Sequence, residues 1–318
     1  MNLKLSALVL LARGLVSASP INQRNAVEAR DRCYKLPTDA SWPSQEEWIR
    51  LNASVSGRLI EGKPLGSVCH GNAYDTIGCA KTREQWSIAD QYFPDPVNIM
   101  SPYWQNNSCS PFTPSNASCA LGNLPRYTIN VANADDVRAG LRFAQDNNIR
   151  LVIKNTGHDY LGRSAGKGAL SLWTHNLKSI SFADYNSTRY NGPAVKVGAG
   201  VQFFELYNVA ASKGFRVVGG YCPTVGIAGG YITGGGHGPL GATYGLAADN
   251  TLEFEVVTAD GRHLVASPTQ HSDLYWALKD LQSVVHVSEI LKNQPMIDLA
   301  QHIASKSKFL PAALQPKA

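Results

Sequence analysis

Long basic runs are missing from this 318-residue chain: its 29 Lys and Arg are scattered, with no Lys/Arg block carrying interleaved aromatics. A net charge of +5 spread so thinly offers nucleic acid no electrostatic footprint. Past the N-terminus no apolar run approaches the ~20 residues of a membrane span, so no membrane partner is expected. Cys-x-x-Cys and His-x-x-x-His spacings are absent. That places a secreted metal-binding glycoprotein last among the functional readings, and no metal ligands are assigned. With 44% hydrophobic and 17% charged residues, the composition is that of a globular chain holding one large or two modest domains.

Two nucleotide motifs almost form. Gly157, four intervening residues and then Gly162-Arg163-Ser164 approach a P-loop, but Arg163 stands where the motif needs Lys. Gly198-Ala199-Gly200 lacks the third glycine of the dinucleotide fingerprint, because position 203 is Phe203. Backbone cradling of a phosphate stays open on this count, whereas nucleotide hydrolysis is not expected.

What is present begins with a targeting signal. Lys4 precedes the apolar run from Leu5 to Ala12, and Val16-Ser17-Ala18 supplies small residues for cleavage, so residues 1–18 read as a secretory leader although Arg13 interrupts the pattern. Sequons at Asn52, Asn106, Asn116 and Asn186 fit a secreted, extracellular glycoprotein. Of six cysteines, Cys69/Cys79 and Cys109/Cys119 each enclose a short segment, as local disulfides do. Cys33 and Cys222 are left over; either they pair with each other or Cys222 has separate chemistry.

Residues 19–120 form a loop-rich, cysteine-containing N-terminal region. The domain that follows, 121–280, opens on a strand–helix–strand pattern. Tyr127-Thr128-Ile129 leads to a helix capped by Asn133, with Asp135 and Asp136 on its N-terminal dipole and Val137, Leu141 and Ala144 on one face. Arg150-Leu151-Val152-Ile153 then reads as a buried strand. Further on, strands are expected at 194–197 and 215–218 and a helix at 202–212. Leu252–Thr258 and His263–Ala266 read as a hairpin, and a helix starts at Ser272. The fold class is α+β. Residues 281–318 read as a divergent tail, where Val287, Ile290 and Leu291 suit a helix.

Glycine marks the chemistry: 19 of the 28 glycines lie between Gly157 and Gly245. That density implies turns needing positive φ or backbone passing close to a ligand. The first cluster, Asn155-Thr156-Gly157-His158-Asp159-Tyr160-Leu161-Gly162-Arg163-Ser164, follows a strand directly and suits a phosphate-cradling turn. A tight surface turn with an incidental histidine is the alternative. The second, from Gly219 to Gly238, holds Gly226, Gly229, Gly230, Tyr231, Gly234, Gly235, Gly236 and His237. A planar ligand against bare backbone would offset its entropic cost. Cys222 stands there in a turn, and reactive and inert readings balance.

Taken together, these clusters resemble the FAD-binding domain of the vanillyl-alcohol oxidase superfamily, in particular the fungal berberine-bridge-enzyme-like branch. Ile153–Ser164, Gly168–Leu177, Gly219–Pro239 and Tyr244–Leu278 carry the resemblance, supported by Ser41-Trp42-Pro43-Ser44 and Pro111-Phe112-Thr113-Pro114. The resemblance implies a PCMH-type FAD-binding domain built from two α/β subdomains. It implies FAD bonded through His158 to the 8α-methyl and, in bicovalent members, through Cys222 to C6. The 155–164 turn would hold the pyrophosphate. The second glycine stretch would approach the cofactor, with Tyr231 and His237 near it. The implied activity is oxidation of an alcohol, sugar or secondary metabolite by hydride transfer to the flavin, with O₂ as onward acceptor. His175 has no counterpart and reads as structural; His70, His263, His271, His286 and His302 read as solvated.

The resemblance breaks near Asp280. The usual glycine-rich run and closing strand are not recognised in residues 281–318, nor is the substrate domain that supplies a catalytic base. The catalytic residues are therefore unassigned, the domain is expected to be incomplete with an open sheet edge, and a truncated, non-catalytic flavin-binding remnant is the second reading.

Overall fold

The computed structural model describes residues 33–279 and 285–295. The leader read over 1–18 and the tail beyond 295 lie outside the described residues. Ser44-Gln45-Glu46-Glu47 writes a capping box, and α1 (Gln45–Ser54) begins there. The Glu47 N–H donates to the Ser44 hydroxyl while the Ser44 N–H donates to the Glu47 carboxylate. The helix buries Trp48 and Leu51, with Trp48 stacked against Tyr127 at 4.1 Å and Phe143 at 4.6 Å.

After β1 (Leu59–Glu61) comes the cysteine-rich stretch with α2 (Thr76–Gln85). It is stapled by Cys69–Cys79 and Cys109–Cys119, the two local pairings the spacing suggested. His70 corrects one expectation: it is buried beneath this stretch, its Nε2 2.9 Å from the Ser110 carbonyl oxygen. Two disulfide loops folding over one another shield it, which residue spacing does not reveal.

The strand–helix–strand reading holds in β2 (Tyr127–Asn130), α3 (Ala134–Asp146) and β3 (Leu151–Lys154), with β4 (Leu170–Trp173) inserted between the two strands. The sheet order is β1-β2-β4-β3; β2 and β3 run parallel to β4, and β1 antiparallel to β2. Asn133 caps α3 by accepting from the Asp135 and Asp136 N–H groups, and Val137, Leu141 and Ala144 face the core. The parallel strands all end on one side, and the 155–164 turn leaves from the end of β3.

A second, antiparallel sheet follows. Its elements in chain order are β5 (Ile180–Asn186), β6 (Asn191–Gly198), α4 (Phe203–Ser212), β7 (Phe215–Val217), the short α5 (Gly230–Thr233) and α6 (Gly241–Tyr244), β8 (Thr251–Val257), β9 (His263–Ala266), α7 (Ser272–Leu278) and β10 (Val285–Pro295). The order is β5-β6-β10-β8-β9, with β7 also paired to β10. Val195, Val197, Phe203, Leu206, Ile227, Ile232 and Phe254 share its core. Each such fully buried side chain contributes about 2 kcal/mol by transfer from water.

The segment 285–295 overturns the helical reading of Val287, Ile290 and Leu291. It is an extended strand pairing with β6 on one side and β8 on the other. The open edge expected after residue 280 is thereby filled at the level of backbone pairing. A short apolar run fits either period, and two flanking strands with unmet N–H and C=O groups decide for strand.

Candidate functional site

The first turn is closed by its own side chains. Asp159 accepts from the Leu161 N–H at 2.8 Å, the Ser164 N–H at 2.7 Å and the Ser164 hydroxyl at 3.1 Å. Gly157 and Gly162 take φ of +84° and +71°, a region closed to most side chains. The Trp104 indole donates to the Tyr160 carbonyl at 3.0 Å. Tyr160 and Leu161 point outward at 75% and 61% exposure, Arg163 is also exposed, and Thr156 is buried.

Beneath this turn lies a basic floor. Lys154 is fully buried; its amine donates to the carbonyls of Tyr92 at 3.1 Å and Asp95 at 2.6 Å and stands over the Trp173 ring. Burial pulls its pKa down to about 7, opposed by the Asp95 charge. His175 stacks on Trp173, is buried, and has a pKa lowered to about 4, first by burial and then by Lys178 and Lys154. Its structural reading is consistent with this placement.

The second glycine segment meets the first at two points. Asn155 donates through Nδ2 to the Ala199 carbonyl at 2.7 Å, and a Cβ on Gly226 would overlap that same amide. The Asn155 Oδ1 is buried with no hydrogen-bond partner among the described residues. His158 and Cys222 converge on one hydroxyl. The His158 Nε2 lies 2.9 Å from Thr224 Oγ1, and the Cys222 Sγ lies 3.5 Å from the same oxygen. Phe93 stacks on the His158 ring at 4.5 Å. Burial lowers the His158 pKa, against the pull of Asp90, and so favours the neutral imidazole. Cys222 is a free, exposed thiol, so it does not pair with Cys33.

The remaining nominated residues divide. Gly229, at φ +102°, and Gly230 have backbone with nothing within 4 Å of where a Cβ would stand. Gly235 and Gly236 turn the chain back after α5, Gly236 lying against Tyr231 and Ala247, and Gly234 is exposed. Tyr231 packs edge-on against Phe203 and donates to the His237 carbonyl at 2.9 Å, and burial raises its pKa. The His237 side chain is exposed. A separate open groove of about 590 Å³ at the start of α3, lined by Asn133, Lys178, Lys196, Glu255 and His263, includes none of the nominated residues.

Residues 125–267 match the model of a family described as an FAD binding domain. A VAO-type flavoprotein oxidase of Thermothelomyces thermophilus is 56% identical over 251 residues, 77% of this chain and 44% of its own. An FAD-linked oxidoreductase of Neocamarosporium betae is 49% identical over 275 residues, 85% and 47% of the two chains. The crystal structure of a VAO-type flavoprotein from Myceliophthora thermophila superposes with a TM-score of 0.81 at 52% identity, covering 83% of this chain and 50% of that one. Residues 125–267 match an FAD binding domain, in the fold of a VAO-type flavoprotein. The chain spans about half the length of the curated relatives it matches.

The residues of this domain fit the cofactor. The bare backbone at Gly229 and Gly230 faces open space, the Asn155 side-chain amide oxygen has no hydrogen-bond partner among the described residues, and two nucleophiles of the types that add to an electrophilic ring stand against one hydroxyl. Sequence reasoning missed Thr224, Phe93 and the clamping role of Lys154. Thr224 had a local signal, two residues after Cys222 in Gly-Tyr-Cys-Pro-Thr. Phe93 had none, since only the tertiary fold brings it to position 158. Among the described residues no group of three or more His, Cys, Asp or Glu could hold a metal ion, and no helix is long and apolar enough to cross a membrane.

Proposed function

We propose that this chain is the flavin-holding part of a secreted FAD-dependent oxidoreductase that binds its cofactor covalently. It oxidises an alcohol, sugar or secondary metabolite by hydride transfer, with O₂ as the onward acceptor. The observation that carries this reading is the meeting of His158 and Cys222, far apart in sequence, at the Thr224 hydroxyl. FAD, when bound, supplies the two-electron acceptor and the electrophilic ring carbons; the protein supplies orientation and nucleophiles. His158 would hold the cofactor at the 8α-methyl and Cys222 at C6; each attachment would replace one hydrogen of the nucleophile and one of the cofactor by a single bond, with O₂ taking up the two electrons and two protons as H₂O₂. Asn155, Thr156 and the braced turn from Gly157 to Ser164 hold the pyrophosphate, and Gly226–Gly236 pass along the ring and its side chain.

The VAO-type relatives, their names and the matching domain support the oxidoreductase assignment. The second reading is a flavin-binding part that does not turn over a substrate by itself. One experiment addresses both. The full chain is expressed with excess FAD, precipitated in acid and digested, and the peptides bearing His158 and Cys222 are weighed. A yellow pellet with flavin mass on both peptides supports bicovalent attachment, and unmodified peptides at both positions sink it. O₂ consumption across a panel of sugars and alcohols then separates the two readings.

A further inference from the structure

Thr224 carries no glycine signal; its place two residues after Cys222 is its one mark in the sequence. Among the described residues its hydroxyl lies within reach of both nucleophiles, 2.9 Å from the His158 Nε2 and 3.5 Å from the Cys222 Sγ. Its backbone is fixed independently: the Gln202 side-chain amide donates to the Thr224 carbonyl at 2.7 Å. The neighbouring Pro223 and Val225 carbonyls accept from the first N–H groups of α4, Phe204 at 2.8 Å and Phe203 at 3.1 Å. The turn is thus clamped on the start of a helix before the side chain does anything.

A hydroxyl has one hydrogen, so between two polar neighbours it can donate to only one. Three arrangements are self-consistent. In one, the thiol donates to the hydroxyl and the hydroxyl donates to Nε2; in a neutral ring that leaves the proton on Nδ1. In the other two, Nε2–H donates to the hydroxyl, which either donates to sulfur or accepts from the thiol as well; both leave Nδ1 unprotonated. Phe93 covers one face of the ring, and with Nε2 engaged the imidazole has a single in-plane edge left to offer. Only the arrangements in which Nε2–H donates give that edge a lone pair.

We propose that Thr224 is the positioning residue shared by both attachment sites: its hydroxyl accepts from the His158 Nε2–H while lying against the Cys222 sulfur, and so makes Nδ1 the nitrogen offered to the cofactor. This rests on the covalent-flavin reading above, yet the arrangement itself belongs to the chain without cofactor. It assigns the choice of ring nitrogen to one hydroxyl rather than to the histidine alone.

The test uses the full chain, ¹⁵N-labelled at histidine, as wild type, Thr224→Val and Thr224→Ser. Long-range ¹H–¹⁵N spectra of the FAD-free protein are expected to show His158 in a single Nε2–H tautomer in the wild type and Thr224→Ser. In Thr224→Val, which keeps the branched shape but lacks the hydroxyl, mixed tautomers are expected. On adding FAD, flavin attachment at the His158 peptide, followed by mass spectrometry, is expected to slow roughly fivefold in Thr224→Val, the factor for one hydrogen bond of ~1 kcal/mol, and to recover in Thr224→Ser. An Nδ1–H tautomer in the wild type, or a tautomer and attachment rate unchanged in Thr224→Val, overturns the proposal. If Thr224→Val fails to fold, the wild-type tautomer alone decides. A locked Nε2–H tautomer with no flavin on either peptide means that the covalent reading fails while the role of Thr224 in setting the ring stands.

Discussion

The two turns that frame the site are built in opposite ways. The turn from Asn155 to Ser164 is braced by side chains: the Asp159 carboxylate ties three donors together and the Trp104 indole holds the Tyr160 carbonyl. The segment from Gly219 to Gly238 is braced by close approach of its bare main chain to its neighbours. Gly226 lies against the Asn155 amide, and Gly238 lies so close to the Gly219 carbonyl that a Cβ would overlap it. A side-chain brace can be weakened one bond at a time, whereas a main-chain contact has no room to give. The contrast also shows that glycine density has two causes within one segment, because Gly229 and Gly230 face open space instead.

Mutations can break this comparison, beginning with the largest effect. Gly238→Ala forces the Gly219 carbonyl to move and is expected to cost about 3 kcal/mol or more, read as a fall in the denaturant midpoint of the full chain. A midpoint within experimental scatter of the wild type would mean that the second segment is not held by main-chain contact.

The floor of the first turn comes next, through its pH dependence. His175 has a folded pKa of about 4 against an ordinary 6.5, so the unfolded chain binds the extra proton between those values. Its stabilising contribution is complete above pH 6.5 and is lost as pH falls toward 4, by roughly 3 kcal/mol as a ceiling. His175→Phe, which keeps an aromatic ring against Trp173, is expected to flatten the acid limb of the unfolding free energy measured at pH 6.5, 5 and 4. An unchanged slope would show that other groups dominate.

Asp159→Ala removes three hydrogen bonds from one turn and is expected to cost about 1–2 kcal/mol, because water replaces part of what is lost at so exposed a site. Hydrogen exchange at the Leu161 and Ser164 amides should rise with it, while the rest of the first sheet keeps its protection. Smallest in stability is Gly230→Ala, at within about 1 kcal/mol of the wild type, since a Cβ there meets nothing and alanine favours a helix start. Its effect is expected in the extent of flavin attachment, read as flavin mass on the His158 and Cys222 peptides after incubation with FAD. Attachment as complete and as fast as in the wild type would mean that the open face at Gly229 and Gly230 is not where the cofactor lies.

Much of this could be read from residue order. Asn133, with Asp135 and Asp136 behind it, wrote the start of α3, and the hairpin of β8 and β9 followed from Val256-Val257 and Asp260-Gly261. Both disulfides followed from their ten-residue spacing. The 155–164 turn was legible because its parts are contiguous: strand, glycine, histidine, carboxylate and glycine in one run. What escaped was everything made by distant segments. The Phe93 ring over His158, the burial of His70 and the Lys154 amine between two carbonyls depend on how loops before residue 120 fold back. The strand at 285–295 escaped for a related reason, since its conformation is set by its neighbours β6 and β8 rather than by its own period.

The position of β10 carries a consequence for how the chain is made. The hairpins β5–β6 and β8–β9 have local partners and can form as soon as they leave the ribosome. The strand that joins them, at the middle of the sheet, emerges only after both. Until then each hairpin carries an unsatisfied inner edge, and the nascent protein holds two half-sheets awaiting a common seam. Premature pairing of those edges with each other, or with another nascent chain, is the misfolding route this topology invites.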